Sequence, residues 1–317
     1  MTNTCLEILR PGANTTYQDS GRNHLYHIGI TISGAIDQRN YKLANALVNN
    51  KLNDAVIEFA YQGPLLKLSN GEINFAITGN IFFNIIKKNS EIIEGKCYQN
   101  YILKDGDQLD IISTKKNVYG YLAVNGGFKL NEFWKSYSVN TKANIGPNNG
   151  KKFSLGEKII IKNSLPKSTK EKKLNFKNYF DKNIRVIKGT NFDYFSQEAK
   201  TKFFNEEYLV TNLVDRMGMR LNGPALENIV NTNIKSEGLV RGVIQVPADG
   251  KPIILLSDHG TIGGYPKIAT IISADLDQVG QLIPGTKIKF KEVNLAEAEK
   301  LFKNYINKTN TYLDECS

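Results

Sequence analysis

The chain has 317 residues and a formal net charge of +10, with 41% hydrophobic and 23% charged residues. That suits a folded soluble protein of one large or two medium domains. No apolar run reaches the ~18 residues of a membrane-spanning helix, and the start lacks the basic-then-apolar pattern of a secretory leader.

Lysines are scattered rather than ordered on one helix face, without interleaved aromatics, so neither nucleic acid nor membrane is expected as a partner. Cys5, Cys97 and Cys316 are too far apart and too few for a disulfide framework, which fits a reducing cytoplasm.

Leu6–Leu9 reads as a strand stopped by Pro11-Gly12, and Tyr17–Arg22 as a polar turn. Asp37 is placed to cap a helix in which Tyr41, Ala44, Leu47 and Val48 recur at helical spacing. From Val56 the period changes to short β-prone runs, ending at Tyr119–Val124 and divided by Gly63-Pro64, Asn70-Gly71, Asp105-Gly106 and Gly126-Gly127. Many short strands with turn residues between them predict a sandwich or barrel, not a parallel α/β sheet. Residues 133–153 read as an Asn/Gly-rich loop, and a lysine-dense exposed linker is expected over 166–182.

The second half opens with the strand Ile184–Lys188 and a helix over Phe192–Phe204. Two β-prone runs, Gly242–Val246 and Pro252–Leu256, are joined through Asp249-Gly250, a hairpin signal. The second run ends in Ser257-Asp258-His259-Gly260-Thr261 and then Gly263-Gly264-Tyr265-Pro266-Lys267. A strand over Thr286–Val293 precedes a charged C-terminal helix, Leu295–Tyr312. The expected division is a first half at 1–165, the linker at 166–182, a second half at 183–293 and the terminal helix at 294–317.

Several segments together resemble the carboxyltransferase-like family once labelled allophanate hydrolase subunit 2. They include Leu9-Arg10-Pro11-Gly12, Gln18-Asp19-Ser20-Gly21-Arg22, Ser33-Gly34-Ala35-Ile36-Asp37, Asp215-Arg216-Met217-Gly218, Ile244-Gln245-Val246-Pro247 and Gly263–Lys267. The group includes the C subunit of bacterial 5-oxoprolinase, the kinase antagonist KipA and a domain of urea carboxylase. The resemblance implies a mainly β protein with a few helices, folded as two cyclophilin-like β-barrel halves. It implies a subunit 1-type (B) partner and, in the oxoprolinase branch, a LamB/YcsF-type hydrolase (A) subunit. The implied activity is that of a hydrolase on a cyclic amide, the opening of 5-oxo-L-proline to L-glutamate with ATP and Mg2+. Two alternatives stay open: a carboxyltransferase using a partner's carboxybiotin on urea or a related amide, and a non-catalytic kinase-binding regulator of the KipA type. Many family members carry Gly-Ser-Arg-Ser-Thr in mid-chain. Here the stretch reads Trp134-Lys135-Ser136-Tyr137-Ser138-Val139, without the arginine.

On the residues themselves, Asp258 beside His259 suits general acid–base work near neutral pH, or else a turn cap and a surface histidine. Thr261, Gly263, Gly264, Tyr265 and Lys267 suit an anion, through backbone amides, a hydroxyl and a lysine, unless the glycines serve only the turn. Arg216 and Arg220, four apart, share a face as helix or strand and can grip a carboxylate or phosphate, unless Arg216 forms a structural ion pair. Gln245 joins this binding set, as do Arg22 and Ser33 from a polar group with Gln18, Asp19 and Asp37. His24 and His27 form no metal shell with any third ligand, and the chain carries no Walker A motif or biotinyl lysine context. On this reading Asp258→Asn or Lys267→Ala removes turnover and leaves the fold and its melting temperature intact.

Overall fold

Short runs of Ile, Val, Leu and Phe, punctuated by Gly, Asn and Asp, build a mainly β protein with four α-helices among the described residues. The computed structural model describes residues 3–162, 170–178, 180–230 and 233–316. It divides into two units, one of Met1–Arg22, Ser33–Asn178 and Thr309–Ser317, the other of Asn23–Ile32 and Tyr179–Lys308.

The first unit packs two antiparallel sheets over one core. One sheet runs Lys158–Ile160, Cys5–Arg10, Leu65–Ser69, Gln108–Thr114, Ile81–Ile86, Ile92–Glu94. The other runs Asn14–Gln18, Val56–Ala60, Tyr119–Val124, Glu72–Thr78, Asn100–Lys104. Their inner faces meet through Leu6, Ile8, Leu66, Phe83 and Ile111 on one side and Ile57, Phe59, Phe75 and Leu122 on the other. Val56–Ala60 and Tyr119–Val124 are buried at every position. Tyr119–Val124 carries no charged residue and Val56–Ala60 only the buried Glu58, which accepts from Ile36 N at 2.8 Å, as expected of strands covered on both faces: the core lies on one side and the helix Gln38–Leu47 on the other. Asp37 starts that helix, its side chain accepting from Asn40 N at 2.9 Å.

Three elements differ from the sequence reading. Tyr17 and Gln18 end the strand Asn14–Gln18 rather than opening a turn. Ile81–Ile86 is a strand with Ile81, Phe83 and Ile85 inward and Phe82 exposed, where Lys115 Nζ sits 3.8 Å from its ring centroid. The helix expected over Phe192–Phe204 divides into a 3-10 turn, Phe192–Tyr194, and an α-helix, Gln197–Asn205, because the Ser196 side chain caps the latter through Ala199 N. The linker expected over 166–182 lies partly outside the described residues. Within the described part, Leu174 and Phe176 are buried and Leu174 N donates to Tyr98 O.

The second unit is a closed barrel in the order Asn183–Lys188, Lys267–Ile271, Val243–Gln245, Ile253–Leu255, Gly218–Asn222, Tyr208–Val214, Lys287–Glu292. All its pairings are antiparallel except the closing one, Asn183–Lys188 with Lys287–Glu292. Phe203 stacks on Phe290 with centroids 4.5 Å apart, and Tyr208 lies 5.6 Å from Phe290, so Gln197–Asn205 packs against the closing strands. The hairpin forms in the expected place: Ile244 faces Ile254 and Gln245 faces Ile253, with Gly250 N donating back to Pro247 O. The terminal helix runs Leu295–Glu315, and none of the described helices is long and apolar enough to cross a membrane.

Candidate active site

The strands Gly218–Asn222 and Ile253–Leu255 pair with Gly218 opposite Leu255. Beyond the strand ends the pairing continues, Leu256 N to Met217 O at 3.0 Å and Asp258 N to Arg216 O at 2.7 Å. That register brings Arg216 against Asp258. Arg216 Nε lies 2.8 Å from Asp258 Oδ2 and a terminal guanidinium nitrogen 3.1 Å from Oδ1, a two-bond fork between buried side chains. Both oxygens of Asp258 therefore accept from arginine, so the carboxylate is engaged and holds Arg216 in place. Arg220 goes elsewhere, to Asp249 Oδ2 at 2.7 Å in the exposed hairpin turn. Even spacing does not put the two arginines on one face, because Arg216 lies in the turn before the strand begins.

His259 is buried, with Nδ1 2.6 Å from Gly260 O and Nε2 3.3 Å from the Tyr26 hydroxyl. A carbonyl can only accept, so the proton sits on Nδ1 and Tyr26 donates to Nε2. Burial lowers the imidazole's pKa, outweighing the Gly260 carbonyl and the Asp258 carboxylate, which favour the charged form. The ring is a neutral proton acceptor with a fixed tautomer. Nearby, the Thr31 hydroxyl donates to Ser257 O at 3.3 Å, a second tie between residues 23–32 and this turn.

Lys267 is buried at the start of its strand, opposite Gln245. Asn191 clamps its backbone, accepting from Lys267 N at 3.1 Å and donating to Lys267 O at 3.2 Å. The ammonium donates to Glu237, whose carboxyl is thereby held below its usual range, with Asn191 as a further side-chain partner. Glu237 and Gly238 pair with Gly263 and Ile262 as a two-residue ribbon. Neither Gly263 nor Gly264 has positive φ. A Cβ at Gly263 would stand 2.8 Å from Leu239 and 3.0 Å from Gln245, and one at Gly264 would stand 2.9 Å from Ile234 O. These glycines admit the overlying segment, residues 233–240, instead of serving the turn. Gln245 is buried and donates to Tyr265 O at 3.2 Å; Thr261 O accepts from Leu239 N at 2.9 Å; the Tyr265 side chain is 40% exposed.

In the first unit, Arg22 and Ser33 belong to a buried polar group. Asp19 accepts from Gly21 N at 2.8 Å, Tyr137 N at 2.7 Å, the Ser136 hydroxyl at 2.8 Å and the Ser138 hydroxyl. Arg22 donates to Ser138 O, and Asn140 donates to the Ser33 hydroxyl at 3.3 Å. Gly34 has φ +82, and a Cβ there would stand 2.9 Å from Gly21 N, so only glycine fits. Ser136 and Ser138 thus cradle Asp19, in the stretch that lacks the arginine.

Missed at the level of sequence are Tyr26, Asn191 and Glu237, which complete the second-unit arrangement, and Ser136, Ser138 and Asn140 in the first. Only the Ser-Tyr-Ser alternation carried a signal, since both serines fall on one face of an extended segment. Two surface hollows, one at Phe204 and Lys291, the other at Gly95, Tyr98 and Asn178, are lined by none of the candidate residues. Among the described residues no group of three or more His, Cys, Asp or Glu is placed to hold a metal ion.

A family model described as carboxyltransferase domain, subdomain A and B, matches residues 28–292. The chain belongs to that family. It is 32% identical over 312 residues to the C subunit of the Haemophilus influenzae 5-oxoprolinase, covering 98% of this chain and 97% of that one. The subunit of the same name from Escherichia coli is 30% identical over 299 residues, 93% of each chain. Among solved structures, the urea amidolyase of Kluyveromyces lactis matches this carboxyltransferase domain with a TM-score of 0.88 at 25% identity. That match covers 98% of this chain and 20% of the amidolyase.

Proposed function

We propose that this carboxyltransferase-domain chain is the C-type subunit of a cytoplasmic, ATP-dependent 5-oxoprolinase. It works with a subunit 1-type (B) partner and a LamB/YcsF-type hydrolase (A) subunit. One observation carries the reading: the likeness to the Haemophilus 5-oxoprolinase chain runs over 98% of this chain and 97% of the relative, whereas urea amidolyase is matched over 17% of its length. The site chemistry agrees with it. 5-Oxoproline offers a carboxylate and a lactam, and the second unit offers a buried lysine already suited to a carboxylate.

In this reading Lys267 and Asn191 hold the substrate carboxylate. Arg216, aimed by Asp258, faces the anionic oxygen that develops at the lactam carbonyl. The carbonyl oxygen takes the γ-phosphoryl group of ATP and ADP leaves. A first water adds to that carbon, the C–N bond breaks with the ring nitrogen leaving as the amine, and a second water hydrolyses the acyl phosphate so formed, releasing phosphate and the new carboxylate. His259, fixed by Gly260 and Tyr26, takes the proton of the attacking water through the Tyr26 hydroxyl, which passes its own proton to Nε2 as it accepts one from the water. The described residues offer Mg2+ no carboxylate cluster, and ATP is placed on the assembled enzyme rather than on a named residue of this chain.

The likeness to urea amidolyase favours a second reading, carboxyl transfer from a partner's carboxybiotin to urea or a related amide. The test is reconstitution with the B-type and A-type subunits. ADP release that requires both 5-oxo-L-proline and this chain supports the first reading. Undiminished release without this chain, or carboxyl transfer from carboxybiotin with no lactam opening, overturns it.

A further inference from the structure

Lys267 is covered by a segment that contributes little to any core. In residues 233–240, Asn233, Lys235, Ser236, Gly238 and Val240 are exposed, and Leu239 is the buried anchor, packed with Val243 and Leu255. The segment is fastened by Ile234 N to Gly264 O at 2.9 Å, by Leu239 N to Thr261 O at 2.9 Å, and by the two-residue ribbon between them. From this ribbon Glu237 reaches in to the ammonium. The two sides of the ion pair differ: the Lys267 side chain is 5% exposed and the Glu237 side chain 42%. The cation is fixed in the barrel wall. The anion sits on the overlying segment, with one face already in water.

We propose that Glu237 is a stand-in for the ligand's carboxylate. A carboxylate-bearing substrate displaces Glu237 from Lys267 and Asn191 and lifts residues 233–240 away from Gly263 and Gly264. The inference rests on the reading of Lys267 as the substrate's carboxylate holder and adds a competitive plug to it. The physical case is one of exchange. Lys267 is never left as a bare buried charge, which would be costly, because one carboxylate replaces another. Glu237 is returned to water, where an ionised carboxylate is well solvated. The Gly263-Gly264 pair gives the cover a surface without side chains to slide across, which accounts for glycine at two positions that have no turn geometry.

The test is hydrogen–deuterium exchange on the full chain, with 5-oxo-L-proline and with acetate as probes. The expected result is faster exchange at 233–240 with 5-oxo-L-proline, and the same effect from acetate at higher concentration. Glu237→Gln, which removes the competing charge, is expected to bind 5-oxo-L-proline about tenfold more tightly by calorimetry. It should also show fast exchange at 233–240 without any probe. Unchanged exchange with both probes, together with wild-type affinity in Glu237→Gln, overturns the displacement. If the reconstituted enzyme nevertheless opens 5-oxoproline, the functional reading survives that result. Opening by acetate but not by 5-oxo-L-proline upholds the displacement and counts against the lactam reading.

Discussion

Arg216 and Asp258 meet through a two-bond fork at 2.8 and 3.1 Å, and both are buried. Removing one partner of such a pair leaves an uncompensated buried charge and costs about 3–5 kcal/mol. Asp258→Asn is therefore expected to lower the melting temperature and the urea midpoint, against the sequence-based expectation that it spares the fold. Arg216→Met with Asp258→Leu should recover part of that loss, since a well-packed apolar pair escapes the desolvation cost. A single Asp258→Asn variant as stable as wild type would show that the fork adds nothing to the fold.

Arg220 and Asp249 make a pair of the opposite kind. Their contact is 2.7 Å, but the two side chains are 37% and 46% exposed. Solvent and salt screen such a pair to roughly 0–1 kcal/mol. Arg220→Ala should leave the urea midpoint nearly unchanged and leave 5-oxo-L-proline binding intact. A large loss of binding in this variant would return Arg220 to the site.

The contrast between these arginines shows where the sequence could be read and where it could not. The hairpin was legible because Asp249-Gly250 is a local signal, and so was the glycine-rich loop that follows it. Asp258 and His259 stood out as titratable side chains after a buried strand, and Lys267 as a lysine in the loop that follows. Their partners did not. Tyr26 reaches His259 across 233 positions and Glu237 reaches Lys267 across 30, and no periodicity in one chain encodes such meetings. Gly263 and Gly264 were noticed, but not what they do: turn propensity is local, while close approach by residues 233–240 is a tertiary fact. One barrel strand was hidden for a related reason. Gly218–Asn222 alternates its burial, but the polar and glycine residues around it make the run too weak to stand out.

His259 should give stability a pH dependence of definite sign. Burial lowers its folded-state pKa below the ordinary 6.5. Between those values the unfolded chain binds a proton that the folded chain does not, so stability falls as pH drops below about 6.5 until the folded value is reached. The slope is at most about 1.4 kcal/mol per pH unit for one group. His259→Gln should flatten the fall in melting temperature between neutral and mildly acid pH. Tyr26→Phe, which removes the donor to Nε2 and so favours the charged ring, should raise the His259 midpoint measured by NMR. A downward shift would mean that Tyr26 accepts from the ring, and the tautomer assignment would be wrong.

Asp19 holds the first unit's polar group together, and its substitution is the most demanding test of that unit. The carboxylate accepts from two backbone amides, Gly21 N and Tyr137 N, and from the hydroxyls of Ser136 and Ser138, all out of water. Asparagine keeps the shape but turns one acceptor oxygen into a donor that faces other donors. Leaving buried donors unmatched costs about 1–3 kcal/mol each. Asp19→Asn is therefore expected to lose at least that much by urea unfolding. Ser136→Ala removes one donor to Asp19 and also the acceptor of Ser138 N at 3.0 Å, and should cost about 1–3 kcal/mol. If instead both variants are as stable as wild type, yet 5-oxo-L-proline turnover falls in the reconstituted enzyme, the group is there for chemistry rather than for the fold, with Arg22 and Ser33 among its binding residues.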